Sequence, residues 1–356
     1  MSKRRWMTAG VVVALVAACE RKAEPESAPT VAPKPVSEQP ANSEDYRMPG
    51  AERIVAIGDV HGDLAATRAA LRLAGAIDDK DEWIGGKLVV VQTGDQLDRG
   101  DDEPQILDLF EALERKAKAA GGRFYALNGN HEIMNVAGDF RYVTEGGLAD
   151  YREAKPAGPS LARNLADVPE SARGRAAAFL PGGREAKRLA TRPVALVVGE
   201  TAFAHGGILP GHLRRGLDKL NEGTKRWMRG ESASAPPGLD DPGSPVWTRD
   251  YSDGEPSSRS CGALRLALTQ LRAKRMVVGH TVQADGITSG CGGRVWRIDV
   301  GLAKHYGGKM QVLEIRGDLV RPLDATTAAP SASSSAPVLV APTAGRKVTT
   351  GVPAAP

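Results

Sequence analysis

The sequence has little charge of one sign: its formal net charge is +4 on 356 residues, with 25% of them charged. An excess that small gives no reason to expect a nucleic-acid partner, which would need basic residues clustered along one face. Cysteines number three, and none stands among the polar residues that end the apolar runs, so those residues offer no thiolate to a metal. Aromatics are scarce at 4% against 41 glycines. No apolar run is long enough to span a bilayer as a mature helix, and there is no internal repeat.

The one apolar run near the start has a different use. "MSKRRWMTAGVVVALVAACERK" places Lys3, Arg4 and Arg5 before an apolar stretch that ends at Ala18, the layout of a signal-peptide core. Its "VAAC" resembles the bacterial lipobox, which implies cleavage before Cys19, lipidation of that residue, and a membrane reached through a lipid anchor. The expected organisation is a signal peptide over 1–18, a lipidated Cys19 and disordered tether over 19–50, a catalytic domain over 51–323, and a low-complexity tail over 324–356. Both flanks are rich in Pro, Ala and Ser and too poor in large apolar residues to offset their ordering entropy. The chain is therefore expected to be exported and held on a bacterial membrane, facing the periplasm or the exterior. Cys261 and Cys291 remain as an even pair that either forms a disulfide or stays as two thiols.

Within the domain, apolar runs stop repeatedly at polar residues flanked by glycine. "RIVAIGDVHGD" breaks at Gly58 into Asp59, His61 and Asp63, and helical spacing follows from Leu64. "KLVVVQTGDQLDRG" runs from Leu88 to Gln92 and then presents Asp95, Asp98 and Arg99. "RFYALNGNHE" ends in Asn130, His131 and Glu132, "RPVALVVGETAFAHGG" at His205, and "RMVVGHT" at His280. In α/β folds the carboxyl ends of strands assemble ligand sites, so five such ends would put these groups around one crevice.

The residue types suit a metal centre. Asp59, His61, Asp95, Asn130, His205 and His280 supply carboxylate, imidazole and amide oxygen, a set for borderline divalent ions such as Mn, Fe or Zn. Six ligands are too many for one open catalytic ion and fit two. Asp95, at the end of a central strand, is the natural bridge between ions about 3.5–4 Å apart, which can acidify a bridging water and hold phosphate oxygens for in-line attack. His131 is the expected general acid with Asp98 as its partner, and Arg99 offers a planar fork for phosphate.

"GDVHGD", "GDQLDRG", "GNHE", "AHGG" and "GHT" occur in the order of the phosphoprotein phosphatase superfamily of calcineurin-like metallophosphoesterases. "GDQLDRG" and "NGNHEIMNVAGDFRY" resemble the bacterial Shewanella-like protein phosphatases. The resemblance covers about Ile54 to Gly301. It implies an α/β fold, the αββα metallophosphoesterase sandwich of two mixed sheets flanked by helices, and two divalent metal ions. Asp59 and His61 would bind the first ion, Asp95 would bridge, and Asn130, His205 and His280 would bind the second. The implied activity is a metal-dependent phosphomonoesterase, a phosphoprotein phosphatase for Tyr or Ser/Thr phosphate, in which a metal-bridging hydroxide attacks in line. Alternatives are hydrolysis of a dinucleoside polyphosphate, or a surface-binding lipoprotein without activity. The family's second phosphate-binding Arg has no secure match; Arg249 in "SPVWTRDY" is the candidate and Arg259 competes.

Other residues read more plainly. Glu132 is expected as a buried structural carboxylate, and Asp63 as a cap for the helix that follows. His212 is expected to cap a helix or face solvent, and His305 is ambiguous. Asp139, Arg141 and Tyr142 either line a substrate groove or form an ordered surface loop.

Overall fold

The computed structural model describes residues 45–327; the signal segment, Cys19, most of the tether and most of the C-terminal tail lie outside the described residues, while the tether's last residues are ordered, Arg47 and Met48 pairing with Val197 and Val198 at a sheet edge. The strands in chain order are β1 (Arg47–Met48), β2 (Ile54–Ile57), β3 (Val89–Gln92), β4 (Arg123–Ala126), β5 (Ala195–Val198), β6 (Thr201–Ala204), β7 (Arg275–Val278), β8 (Thr288–Gly290), β9 (Val295–Arg297), β10 (Val312–Arg316) and β11 (Leu319–Leu323). One sheet has the order β11-β10-β2-β3-β4, the other β1-β5-β6-β7-β9-β8. Both are mixed. β2, β3 and β4 run parallel, with β10 antiparallel to β2; β6, β7 and β9 run parallel, with β5 antiparallel to β6.

Alternating side chains send each strand into two cores. Ile54 and Ala56 of β2 and Val89 and Val91 of β3 meet Leu196, Val198, Phe203 and Val277 between the sheets. Val55, Ile57 and Val90 point the other way, onto Ala70 and Leu71 of helix α1 (Leu64–Leu73) and Ile106 and Phe110 of helix α2 (Glu103–Ala119). Behind the second sheet, Ala202, Ala204, Met276 and Val278 pack on Leu264, Ala267 and Leu268 of the helix Ser258–Gln270. The layers are helix, sheet, sheet, helix. Strands buried on both faces explain why the sequence shows continuous apolar runs here.

One run divides. The stretch before His205 is two strands, β5 and β6, paired as an antiparallel hairpin in which Val198 opposes Thr201, and only β6 leads to His205. Gly199 at the turn has φ of 57°, a left-handed value at no steric cost to glycine. The two cysteines form a disulfide, with Cα atoms 5.3 Å apart, tying the first turn of the helix Ser258–Gln270 to the turn after β8. Among the described residues no helix is long and apolar enough to cross a membrane.

The inter-sheet layer should dominate stability. Phe203 is fully buried in it. Phe203→Ala is expected to cost about 3–5 kcal/mol in denaturant unfolding. A loss under about 1 kcal/mol would mean that the sheets do not depend on this contact.

Candidate active site

Three of the strands that carry site residues, β2, β3 and β7, end in an unusual turn. His61, Asp95, Asp98, Arg99 and His280 have φ of 40°, 58°, 67°, 69° and 71°, so five of the eight non-glycine residues with positive φ among the described residues gather here. Such backbone costs on the order of 1–3 kcal/mol per residue and persists only where its surroundings hold it. Glu132 does much of the holding. Its buried carboxylate accepts hydrogen bonds from the backbone N–H groups of Asp95 (2.8 Å), Gln96 (2.8 Å), Leu97 (3.2 Å) and Gly129 (2.7 Å), clamping the loop after β3 to the loop after β4. Gly129 must be glycine, because a Cβ there would run into the Asp95 carboxylate.

The donors converge on Asp95. Its Oδ2 lies 3.2 Å from His205 Nε2, 3.7 Å from His61 Nε2 and 3.8 Å from His131 Nε2. His205 Nε2 is also 2.9 Å from Asn130 Oδ1 and 3.2 Å from His280 Nδ1. Two groups share Asp95, one with His61 and His131 and the other with His205 and His280, and the ligand atoms within each lie within 4.8 Å of one another. The imidazoles are oriented from behind. His61 Nδ1 meets Leu97 O at 3.0 Å, His205 Nδ1 meets Thr93 O at 3.0 Å, and His280 Nε2 meets Trp247 O at 3.0 Å. A proton on each of those nitrogens leaves the other bare and aimed inward, the arrangement of metal-ligating histidines.

The electrostatics suit a cation. Burial, then Asp299 and Asp95, pushes the Asp59 carboxyl well above its ordinary value. Burial pushes His61 down to about 4 and, helped by His205, His280 down to about 3. Burial alone would raise Asp95, but His205, His131 and His61 outweigh it and hold that carboxyl well below the usual range. Neutral imidazoles around a buried carboxylate are unfavourable as they stand and fit divalent ions.

Beside this cluster, His131 Nδ1 lies 2.5 Å from Asp98 Oδ2. Burial works against a charged imidazole, yet Asp95 and Asp98 outweigh it and raise the pKa of His131. The Arg99 guanidinium stacks 4.1 Å from the Tyr142 ring centre, and its Nε is buried without a hydrogen-bond partner. Arg99 and His61 line a cleft of about 620 Å³ with Asp63, Asp101, Asp102 and Lys304. Two tyrosines flank the centre, Tyr142 at 5.1 Å from the His131 ring and Tyr306 at 5.4 Å from the His61 ring.

The remaining residues fall around this frame. Asp59 lies outside both three-residue groups; its carboxylate accepts from the His280 N–H at 3.1 Å and stands 3.9 Å from His205 Nδ1. Asp63 caps α1 through Ala66 N and also holds Lys304 N. His212 is buried and does not face solvent: it accepts from Leu209 N and meets Gly243 O, pinning a helix start. His305 lies at the cleft wall against Tyr306. Asp139 and Arg141 form an exposed pair, so of that motif only Tyr142 reaches the centre. Arg249 is exposed, without an ion pair among the described residues, and its charge helps lower His280. Arg259 is exposed on the first turn of the helix Ser258–Gln270. Asp299 was not anticipated. It is buried beside Asp59, with its carboxyl pushed by burial up to about 6, and it stands two residues after β9 in "VWRIDVG", at the end of a sixth strand.

The sequence pattern of the calcineurin-like phosphoesterases matches residues 52–284. The chain belongs to that family. Among its relatives, Shewanella-like protein phosphatase 2 of Arabidopsis thaliana is 42% identical over 296 residues, covering 75% of this chain and 76% of the relative. Shewanella-like protein phosphatase 1 of Plasmodium berghei is 29% identical over 267 residues, covering 72% and 69%. In fold, this phosphoesterase is similar to the crystal structure of a cold-active protein-tyrosine phosphatase of a psychrophilic Shewanella, with a TM-score of 0.60, 23% identity, and coverage of 78% of this chain and 82% of the other. The chain is a hydrolase acting on phosphoesters, and its Asp and His groups are able to bind metal. Chelation should abolish p-nitrophenyl phosphate hydrolysis, and Asp95→Asn should lower kcat/KM by more than about 100-fold, beyond the 10–100-fold typical of residues that only orient ligands. Full activity in protein shown by elemental analysis to be metal-free would refute this assignment.

Proposed function

We propose that this phosphoesterase is a protein phosphatase working with two divalent ions of the Mn, Fe or Zn class. Asp59, His61 and Asp95 would hold one ion and Asp95, Asn130, His205 and His280 the other. Such ions supply charge to neutralise phosphate oxygens and acidify a water for in-line attack. The observation that carries the reading is the His131–Asp98 pair at 2.5 Å, set beside the donor cluster with His131 Nε2 turned toward it. Asp98 holds Nδ1, so the proton at Nε2 is free to pass to the departing ester oxygen. Grouping His131 with His61 and Asp95 as a ligand would spend the same nitrogen; its bond to a carboxylate and its raised pKa favour the acid role.

Arg99 has no anionic partner among the described residues and opens on the cleft, which suits contact with phosphate oxygens. Arg249, without an ion pair among the described residues and close enough to act on His280, is the proposed second clamp. The printed names of the relatives support a phosphoprotein substrate. Tyr142 and Tyr306, on either side of the centre, favour a flat aryl ester and hence phosphotyrosine. Export and lipidation at Cys19, which the sequence alone supports, would hold the phosphatase on a bacterial membrane surface.

His131→Asn should lower kcat by roughly 10²–10⁴-fold on phenyl phosphate, whose leaving group needs a proton, and far less on p-nitrophenyl phosphate. Equal losses on both would count against the acid role. Cys19→Ala should move the protein from the membrane to the soluble fraction, or block its maturation, while the purified chain keeps its activity. A native protein that incorporates no fatty-acid probe would refute the anchor.

A further inference from the structure

We propose that Arg175, a residue remote from the cleft, positions the general acid by fixing the Asp98 carboxylate that orients His131. The inference rests on the assignment of His131 as that acid. Arg175 lies on the helix Glu170–Phe179, is fully buried, and touches no part of the cleft surface.

A guanidinium has five N–H donors in a rigid plane, and here all five are spent. Nη1 donates to Glu103 Oε2 at 2.6 Å and Gly147 O at 2.9 Å; Nη2 donates to Glu103 Oε1 at 3.0 Å and Asp98 Oδ1 at 3.4 Å; Nε donates to Asn135 Oδ1 at 2.8 Å. Its plane packs on the Phe179 ring at 4.6 Å and the Tyr151 ring at 5.5 Å. The group therefore has one orientation.

Asp98 is referenced to that orientation at three points. Its Oδ1 receives Arg175 Nη2, and also Asn135 Nδ2 at 3.0 Å, while Asn135 itself is held by Arg175. Its backbone N–H donates at 2.6 Å to Glu103 Oε1, the oxygen that Arg175 also grips. With Oδ1 taken, Oδ2 is left for His131 Nδ1 at 2.5 Å. Asn135 closes the loop by donating to His131 O at 2.9 Å. Asp98 has left-handed backbone, so without these ties neither its φ of 67° nor the direction of its carboxylate is secured.

A residue that merely stabilised the fold would, when altered, slow every substrate alike. A residue that positions the acid would slow those whose leaving group needs the proton. Arg175→Lys keeps the charge and loses the planar fork, and Lys is preferred to an apolar replacement that would strand two buried carboxylates. In the metal-loaded full chain, kcat on phenyl phosphate is expected to fall roughly 10–100-fold, the cost of about an ångström of misplacement, and kcat on p-nitrophenyl phosphate by less than about 3-fold. In a His131→Asn background the same change should cost nothing further on phenyl phosphate. Equal losses on both substrates, or full additivity with His131→Asn, would overturn the proposal. If Arg175→Lys does not fold, Asn135→Ala, which removes the part of the link that runs from Arg175 through Asn135 to Asp98, takes the same test with the same outcomes. A His131→Asn variant without leaving-group selectivity would remove the acid assignment and this inference together. A selective His131→Asn beside an unselective Arg175→Lys would overturn this inference alone.

Discussion

The carboxylate of Asp95 stands where three imidazoles point, on backbone that an ordinary residue avoids. It can be there because Glu132, six residues past the end of β4, binds three consecutive amides of the Asp95 loop and one of the neighbouring loop. That single buried carboxylate makes two strand ends behave as one rigid piece. The parallel strands β2, β3 and β4 bring their carboxyl ends to one edge of their sheet, and the inter-sheet core brings β6 and β7 of the other sheet to meet them. The chemistry follows from that meeting.

Charge explains the site's layered construction. The innermost atoms are bare nitrogens and carboxylate oxygens, which are costly together in a buried space unless cations join them. Behind them stand groups whose bonds are all satisfied: backbone carbonyls on His61, His205 and His280, Asp98 on His131, and Arg175 with Glu103 and Asn135 on Asp98. The front is left needing a partner and the back is saturated. This asymmetry lets a binding site be stiff without being filled by its own side chains.

Much of this was legible in the sequence, for a physical reason. Strands buried on both faces must be apolar throughout, so a sudden Gly-Asp or Gly-His after such a run is conspicuous, and the donors at the ends of β2, β3, β4, β6 and β7 stood out. Asp299 escaped that rule, because in "VWRIDVG" no Gly stands next to it and the three-residue β9 before it carries Trp296 and Arg297. The β5–β6 hairpin read as one strand because a two-residue turn interrupts the apolar pattern so little. Arg175 was beyond reach: "ESARGRAAAF" is an ordinary helical segment, and its hydrogen-bond partners are 28 to 77 residues away in sequence. The carbonyls that orient the histidines belong to the backbone and leave no mark on residue identity. Spacing alone could not bring Cys261 and Cys291 together; their approach depends on a helix and a turn that meet only in the folded chain.

The central claim is that Asp95 joins two ions and that His131 stands beside them as an acid. The most direct measurement is a crystal structure of the metal-loaded protein with anomalous scattering recorded at the metal edge. The account predicts two peaks about 3.5–4 Å apart with Asp95 between them, Asp59 and His61 on one side, Asn130, His205 and His280 on the other, and His131 bound to neither. A single ion held by His61, Asp95 and His131 would contradict it.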